Sequence, residues 1–202
     1  MTESDDRIRK GSKDPNNADA SEQHDARSSV SEHPAEVWQQ QQMLLSGQPI
    51  IFTASRPEAE REILGQWLVD ALRAGQGVSL KNAIVVGSLD SQAITASREV
   101  VLRDCIVRDR VADFAHSVFA QRADFAGTHF AQGAVFARCR FDGDVMLNGC
   151  RISGPGILFM DAEVKRALMA YEISCDPGTQ ANFQRCRFYS IVKFPGSGKV
   201  TP

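Results

Sequence analysis

The chain has 202 residues, 43% of them hydrophobic, and a formal net charge of −2 that conceals an uneven distribution. Residues 1–77 carry eight Lys/Arg against thirteen Asp/Glu, whereas residues 78–202 carry fifteen Lys/Arg against twelve Asp/Glu. Neither part is charged strongly enough to favour binding to nucleic acid or to an anionic membrane. No run of eighteen apolar residues predicts a transmembrane helix, and the polar, acidic N-terminus does not resemble a signal peptide.

The five cysteines give a second compositional constraint. An odd number of cysteines favours a reducing compartment over a disulfide framework. We therefore expect a cytoplasmic protein.

The first segment, residues 1–36, is rich in Ser, Asp, Asn, Glu and Gln and almost free of large apolar side chains. Such a segment buries too little apolar area to offset the entropy of ordering it, so we predict a disordered tail. We expect residues 37–77 to form a helical N-terminal cap and residues 78–202 to form a solenoid. Residues 38–45 are a candidate short helix within the cap.

A longer helix is predicted over residues 57–74. Pro57 falls in its first turn, and glutamates follow at the electropositive end of the helix. Its apolar residues recur at spacings of three and four and so form one stripe along the helix. They are Ala59, Ile63, Trp67, Leu68, Ala71 and Leu72. An apolar stripe on a single helix must pack against another apolar surface, and the first coil of the solenoid follows directly in the chain. We therefore interpret the helix as the cap of the first coil. An independent protein-binding helix is the alternative.

An apolar phrase then recurs about every eleven residues from Val78 to Phe194. Each copy is a pattern of eight residues. Its first, third and eighth residues are apolar, its sixth is small or apolar, and the other four can be of any type. The ten complete copies begin at Val78, Leu89, Val100, Ala112, Ala123, Ala134, Val145, Ile157, Leu168 and Ala181, and an eleventh opens at Val192. Self-similarity at a fixed short period is the sequence signature of a solenoid.

The spacing within each copy predicts short strands. Two inward residues separated by one outward residue are typical of a strand, so each copy predicts two strands with a bend after each. Extra residues occur only in the second bend, at 108–111, 153–156 and 176–180, as expected for surface loops. The second and fourth inward positions are mainly Phe, Leu or Val, and the first and third are smaller. This alternation fills a narrow tube without voids.

These residues resemble the pentapeptide-repeat family. The similarity is carried by small-x-Phe triplets, each followed five residues on by another small-x-large triplet: Ala112-Asp113-Phe114, Ala123-Asp124-Phe125, Ala134-Val135-Phe136 and Ala181-Asn182-Phe183. The resemblance covers about residues 78–194 and implies an all-β fold, a right-handed quadrilateral β-helix with the small and central aromatic residues inside. This chain alternates five and six residues, so two copies make a coil of twenty-two residues.

Alternate copies are therefore expected to stack directly above one another. This register predicts two ladders of outward side chains, one formed by Val118, Arg140, Glu163 and Arg187, the other by Ile106, His129, Arg151 and Ser174. We expect Arg140, Glu163 and Arg187 to form a weak surface network of alternating charge, worth at most ~1 kcal/mol per pair.

The cysteines do not predict a metal or redox site. Four of them occupy the third inward position and Cys175 occupies the fourth; the four are Cys105, Cys139, Cys150 and Cys186. None forms a Cys-x-x-Cys pair, and Ala and Ser occupy the same positions in other copies. We interpret them as small buried core residues and predict no metal and no cofactor.

Other catalytic signals are also missing from the sequence. His24 and His33 lie in the tail, and His116 and His129 are expected to point outward. We recognise no Ser-His-Asp grouping, paired-carboxylate spacing or glycine-rich phosphate loop. An enzymatic site near Trp38 and Trp67 lacks any motif, so we predict no catalytic residues and a protein that is not an enzyme.

Two charged clusters have ordinary structural interpretations. Asp142-Gly143-Asp144 resembles a fragment of a calcium loop, but it lacks the remaining ligands and fits a turn better. Arg138, Arg140 and Arg151 form a mild basic patch, which we interpret as a solvated face rather than a nucleic-acid site.

The leading functional hypothesis is a non-enzymatic scaffold that presents flat solenoid faces to a protein partner. The family resemblance implies an alternative, because some members protect DNA gyrase by mimicking the shape and negative charge of duplex DNA. That role needs an acidic rod, whereas residues 78–202 carry +3. A second alternative is attachment to a membrane surface through residues 63–72. A homodimer through the C-terminal coil is also predicted, because Val192 and Phe194 would otherwise sit at an exposed end.

Overall fold

The chain folds as a parallel β-solenoid with four sheets, preceded by two short helices. A computed structural model describes residues 34–193. Helix α1 spans Pro34–Leu45 and helix α2 spans Gly65–Arg73. The predicted tail lies outside the described residues except for residues 34–36, which open α1, and Phe194 lies outside them as well.

The strands are numbered along the chain, and successive strands lie on successive sides of the solenoid. Sheet A contains β1 (Ile50–Ile51), β3 (Val78–Lys81), β7 (Val100–Arg103), β11 (Ala123–Asp124), β15 (Val145–Met146), β19 (Leu168–Met169) and β23 (Val192–Lys193). Sheet B contains β2 (Glu62–Leu64), β4 (Ile84–Val86), β8 (Ile106–Val107), β12 (His129–Phe130), β16 (Arg151–Ile152) and β20 (Ser174–Cys175).

Two shorter sheets complete the four sides. Sheet C contains β5 (Leu89–Asp90), β9 (Ala112–Asp113), β13 (Ala134–Val135), β17 (Gly156–Leu158) and β21 (Gln180–Asn182). Sheet D contains β6 (Thr95–Ala96), β10 (Val118–Phe119), β14 (Arg140–Phe141), β18 (Glu163–Val164) and β22 (Arg187–Phe188). The all-β solenoid and its four-sided cross-section, both expected from the sequence, are confirmed.

Alternate copies of the repeat stack directly on one another, as the spacing predicts. Val78 pairs with Val100, and Ala123 pairs with Val145 one coil further on. The pairing is parallel throughout these ladders, because each coil returns to the same side of the rod before the next one begins.

The core is a column of inward side chains that is buried through the central coils and becomes partly exposed in the last described coil. The first, second and fourth inward positions of the central copies are almost completely buried. At the second position, the ring of Phe136 stacks on Phe114 at 5.0 Å and on Phe159 at 4.8 Å, and Phe159 stacks in turn on Phe183 at 5.1 Å. Such stacked pairs add to the free energy gained by burying the rings.

The two-residue bend of each copy has a fixed backbone conformation that the sequence analysis did not anticipate. Its second residue has a positive φ in all ten complete copies. The ten are Asn82, Ala93, Asp104, His116, Gly127, Arg138, Gly149, Asp161, Glu172 and Arg185. Only two of these are glycines, so the remaining copies accept the left-handed conformation, which costs an L residue on the order of 1 kcal/mol. Every complete copy therefore keeps the left-handed backbone conformation at this position, whereas the residue type varies.

The predicted helix over residues 57–74 is corrected by the structure. Glu58–Arg61 forms a short 3-10 turn, Glu62–Leu64 forms strand β2, and only Gly65–Arg73 is α-helical. Strand β2 gains a parallel ladder with β4, and its Glu62 carboxylate lies 2.7 Å from the Arg108 guanidinium. These contacts are lost if the segment is helical, so tertiary pairing overrides the apolar periodicity.

The β ladders begin before Val78. Strand β1 pairs with β3, and β2 pairs with β4, so two rungs precede the first copy of the repeat. Helix α2 packs on strands β5 and β6, with its apolar residues buried, as the cap interpretation predicts. The division of the chain into tail, cap and solenoid at residues 37 and 78 stays a prediction.

Candidate functional site

The outward side chains form straight ladders along each sheet, and both predicted ladders are confirmed. On sheet D, Val118, Arg140, Glu163 and Arg187 pair in that order, and on sheet B the order is Ile106, His129, Arg151 and Ser174. The register follows from burial, because a slip of one residue would move every inward side chain to the outside.

The predicted charge network on sheet D is wrong, although its register is right. Arg140 pairs with Asp142, which lies just after strand β14, at 3.0 Å. Within residues 34–193, no ion pair shorter than 4.0 Å joins Glu163 to Arg140 or to Arg187. The nearer carboxylate in the adjoining bend satisfies the Arg140 guanidinium at lower conformational cost.

Two sheets carry neighbouring rungs of half-exposed apolar side chains. Met146 and Met169 are adjacent on sheet A, and Val135 and Leu158 are adjacent on sheet C. Sheets A and C are separated by one sheet in either direction around the coil, so the two pairs lie on opposite sides of the rod. Each pair forms a small apolar strip framed by polar rungs.

A buried ion pair interrupts the outward ladder of sheet A. The Asp124 carboxylate is completely buried, and Arg103 from the coil below donates to it through Nε at 2.9 Å and Nη2 at 2.5 Å. The hydrogen bond and charge of Asp124 raise the pKa of Arg103. Because a buried carboxylate needs such a partner, this pair fixes where Arg103 lies on the surface of sheet A.

The cysteines at the third inward position have a specific hydrogen-bonding role. Cys139 Sγ donates to the carbonyl oxygen of Phe114 over 2.9 Å, and Cys150 Sγ donates to that of Phe125 over 3.0 Å. Other donors at this position follow the same rule, from Cys186 to Phe159, from Ser117 to Ser91 and from Thr128 to Leu102. Cys105 is an exception, because its Sγ donates to the Arg103 carbonyl oxygen within its own coil, so the third position carries a donor for the coil below in five copies.

Cys175 departs from the core interpretation of the five cysteines. Cys105, Cys139 and Cys150 are buried, whereas Cys175 is exposed and Cys186 is half-buried. Cys175 lies on β20, the last strand of sheet B, so no coil stacks above it within the described residues. Burial raises the pKa of each of the three buried thiols to about 12.

These differences predict unequal thiol reactivity. With an aromatic disulfide reagent at neutral pH, we expect one fast-reacting thiol per folded chain, from Cys175, because its side chain is exposed. The buried thiols should react roughly a thousand-fold more slowly until the protein unfolds, since the thiolate is the nucleophile. The variant Cys175→Ser should lose the fast phase alone. A fast phase that persists in this variant contradicts the assignment.

The structure brings together a serine, a histidine and an aspartate that the sequence spacing did not connect. His129 Nε2 lies 2.9 Å from Ser153 Oγ, and Asp176 pairs with Arg151 at 3.1 Å. The pKa of Asp176 is lowered, first by a hydrogen bond from Ser153 and then by Arg151. In a catalytic triad the carboxylate orients the histidine, whereas here it contacts the serine, so the arrangement does not match that chemistry.

Both aspartates of the fragment that resembles a calcium loop form ion pairs with Lys or Arg side chains. Asp142 lies 2.8 Å from Lys165 and 3.0 Å from Arg140, and Asp144 lies 3.5 Å from Arg166. Lys165 lowers the pKa of Asp142, with a smaller contribution from Arg140. Within residues 34–193, no group of three or more His, Cys, Asp or Glu side chains is arranged to hold a metal ion.

The Asp142 pairing predicts a small acid-dependent loss of stability. Because the folded pKa lies below the unfolded value of about 3.9, the ionised pair stabilises the fold above that pH and this contribution is lost as the pH falls through the folded pKa. We expect Lys165→Met to raise the pKa of Asp142 and to cost less than ~1 kcal/mol near neutral pH, since the Lys165 side chain is 46% exposed. Carboxyl NMR titration measures the pKa. An unchanged Asp142 titration contradicts the assignment.

The predicted basic patch is distributed over different sides of the rod. Arg140 lies on sheet D and Arg151 lies on sheet B, while Arg138 occupies a bend 3.9 Å from Asp161. Because each arginine has an acidic partner and two of them face opposite directions, they do not make one cationic surface.

The comparisons with known proteins identify the repeat and nothing further. Residues 101–151, from β7 to β16, match a family model described as pentapeptide repeats, with 9 copies. No curated protein and no solved structure matches the chain. Neither described helix is long and apolar enough to cross a membrane.

Proposed function

We propose that this chain, a member of the pentapeptide-repeat family, is a non-enzymatic scaffold that binds a protein partner through one of its flat faces. Solenoids offer extended, rigid surfaces, and the continuous ring stack of this core supports such rigidity. The absence of a recognisable catalytic arrangement among residues 34–193 is consistent with the proposal. A reducing, cytoplasmic location is part of it, because all five cysteines are free.

The observation that carries the proposal is the pair of apolar strips on opposite faces. In each strip two half-exposed aliphatic side chains are held one above the other, about 4.8 Å apart, by parallel strand pairing. Apolar side chains at the centre of a polar surface are typical of the buried core of a protein interface. The two strips are Met146 with Met169, and Val135 with Leu158.

Affinity capture with face-specific variants tests this proposal. Full-length wild type is compared with Met146→Lys/Met169→Lys on sheet A and with Val135→Lys/Leu158→Lys on sheet C. We expect one double variant to lose the captured protein and the other to retain it, with both keeping the wild-type melting temperature to within a few degrees. Capture that is unchanged by both variants contradicts binding through either strip.

The gyrase-protecting alternative requires a continuous acidic face. On sheet C, Asp90 and Asp113 are adjacent, but apolar rungs follow them. Asp124 is buried and forms an ion pair with Arg103, and Glu163 lies between two arginines on sheet D. This distribution gives the alternative little support. Recovery of gyrase in the capture experiment, or protection of its supercoiling activity, would restore it.

The membrane-surface alternative depends on an available apolar stripe. The apolar residues of α2, Trp67, Leu68, Val69, Ala71 and Leu72, are buried against the first coil. A bilayer could contact them only after α2 leaves the solenoid, which would expose the core beneath. We therefore rank this alternative below protein binding.

A homodimer through the C-terminal coil is part of the proposal. Tyr189 and Ile191 in the last coil are 60% and 54% exposed, and β20, β21, β22 and β23 end their sheets among the described residues. We expect Tyr189→Lys/Ile191→Lys to shift the molar mass, measured by light scattering during gel filtration, from dimer to monomer. A monomeric wild type contradicts this part of the proposal.

A further inference from the structure

A shallow groove opens on sheet A at the N-terminal end of the rod. Its volume is about 420 Å³, and it lies between the segment that follows α1 and strands β1, β3 and β7. Four cationic side chains and one anionic side chain line it: Lys81, Arg98, Arg103, Arg122 and Glu99. Ile51 (68% exposed) and the half-exposed Val101 supply apolar surface between these charges.

The positive charge of the groove is only partly neutralised by the fold. Arg103 is bound by Asp124, and Arg122 Nη2 lies 3.1 Å from Glu99. Within residues 34–193, Lys81 and Arg98 have no ion pair shorter than 4.0 Å, so the groove keeps two unneutralised cations.

Arg122 also has an unsatisfied donor beside the groove. Its Nε is buried, has no hydrogen-bond partner among the described residues and lies 4.0 Å from the Asp124 carboxylate. Because Nε is enclosed, an incoming carboxylate would meet the outer part of the Arg122 guanidinium, whose side chain is 40% exposed and where Glu99 already pairs with Nη2. The groove thus has the chemistry of a site for an extended acidic segment with small or apolar residues between its acids.

We propose that the groove binds the acidic stretch of the chain's own N-terminal segment, Asp14–Asp25. This stretch contains Asp14, Asp19, Glu22 and Asp25 and no Lys or Arg, with alanines between the acids. Its charge is therefore opposite in sign to the excess charge of the groove, and its small residues suit a shallow surface.

The connection to the rest of the chain is long enough. Helix α1 ends at Leu45, next to the groove-lining Gly47, and its 12 residues extend about 18 Å away from that point. Eight residues separate Asp25 from Pro34 and can span up to about 26 Å when extended. The acidic stretch can therefore return along α1 and reach the groove.

Attachment to the same chain compensates for the weakness of surface ion pairs. A short connection between two binding elements gives an effective concentration on the order of mM. A groove with only millimolar affinity for the free segment would then be occupied about half of the time. Because the charges are solvated, the contact should weaken sharply with added salt, as the Debye length falls from about 10 Å at 0.1 M to about 3 Å at 1 M.

Paramagnetic broadening in the full-length protein tests the contact. A nitroxide is attached at Ser21→Cys in a Cys175→Ser/Cys186→Ser background, and ¹⁵N amide signals are recorded with the label oxidised and reduced. We expect the Gly77 and Val101 amides to lose most of their intensity at low salt and the Val135 amide on sheet C to keep its intensity. High salt should restore the groove signals.

Charge variants identify the groups responsible. Asp14→Asn/Asp19→Asn/Glu22→Gln/Asp25→Asn and, separately, Lys81→Met/Arg98→Met should each abolish the broadening. The matched control Arg140→Met/Arg187→Met on sheet D should leave it unchanged. Absence of broadening in the labelled wild type overturns the proposal and leaves the groove to an acidic partner. Broadening that appears when labelled ¹⁴N protein is mixed with unlabelled ¹⁵N protein also overturns it, in favour of a second copy's segment.

Discussion

Replacing Phe136 by alanine is expected to lower the free energy of unfolding by about 3–5 kcal/mol. Phe136 is completely buried, and its ring contacts Phe114, Phe125, Phe141 and Phe159 with centroid distances between 4.8 and 6.0 Å. Alanine removes a ring from the middle of the stack, and the neighbouring rings cannot move inward because each is fixed by its own strand pairing. The result is a cavity of about the volume of the lost ring.

Thermal unfolding by circular dichroism measures this loss, with a fall in melting temperature of roughly 10 °C. The matched control is Val135→Ala, the outward neighbour on the same strand, which should cost less than ~1 kcal/mol because its side chain is only half-buried. Phe136→Leu should fall between the two, since it keeps most of the apolar volume. Equal effects of Phe136→Ala and Val135→Ala would show that the ring stack does not stabilise the rod.

The regularity of the inward positions explains why the sequence predicts the solenoid so well. A strand of two or three residues has few ways to bury its apolar side chains, and the same pattern repeats in every coil. The pairings of Val118 with Arg140 and of Ile106 with His129 could therefore be written down from spacing alone. Register is determined by burial, and burial is visible in the order of apolar residues.

The start of the solenoid could not be read in this way. The segment from Glu58 to Arg73 has apolar residues at helical spacing, yet Glu62–Leu64 within it pairs as a strand. Ile63 is buried in either conformation, so periodicity does not distinguish them. The decision depends on the ladder with β4, whose residues lie in a later part of the chain and are not visible in the local periodicity.

The ion-pair partners of the surface charges could not be predicted from the sequence either. The outward register correctly placed Glu163 between two arginines, but the long Arg140 side chain reaches a closer carboxylate at Asp142. The buried pair of Asp124 and Arg103 was missed, although residues one coil apart on the same sheet can be expected to meet. The pair lies diagonally, because Asp124 is in register with Val101 and Arg103 follows two residues later.

The second large effect is expected for Gly156→Ala on sheet C. Gly156 has φ of +125°, a conformation that is essentially restricted to glycine. It pairs with Gln180 in the next coil, and an added Cβ would collide with the Gln180 carbonyl oxygen. Since the obstacle is backbone, relief requires β17 and β21 to separate. We expect a loss of at least ~3 kcal/mol in the free energy of unfolding.

The site of the damage can be followed by hydrogen exchange. The Phe159 amide donates to Asn182 across β17 and β21 and should exchange much faster in Gly156→Ala, whereas the Phe125 amide, which donates to Met146 on sheet A, should change little. The matched control is Gly178→Ala, because Gly178 also has a positive φ of +84° but its Cβ would meet no atom of residues 34–193 within 4 Å. That control should cost only about 1 kcal/mol, the strain of the left-handed backbone alone. Similar losses in the two variants would mean that strain, and not the close approach of the two coils, is what requires glycine at position 156.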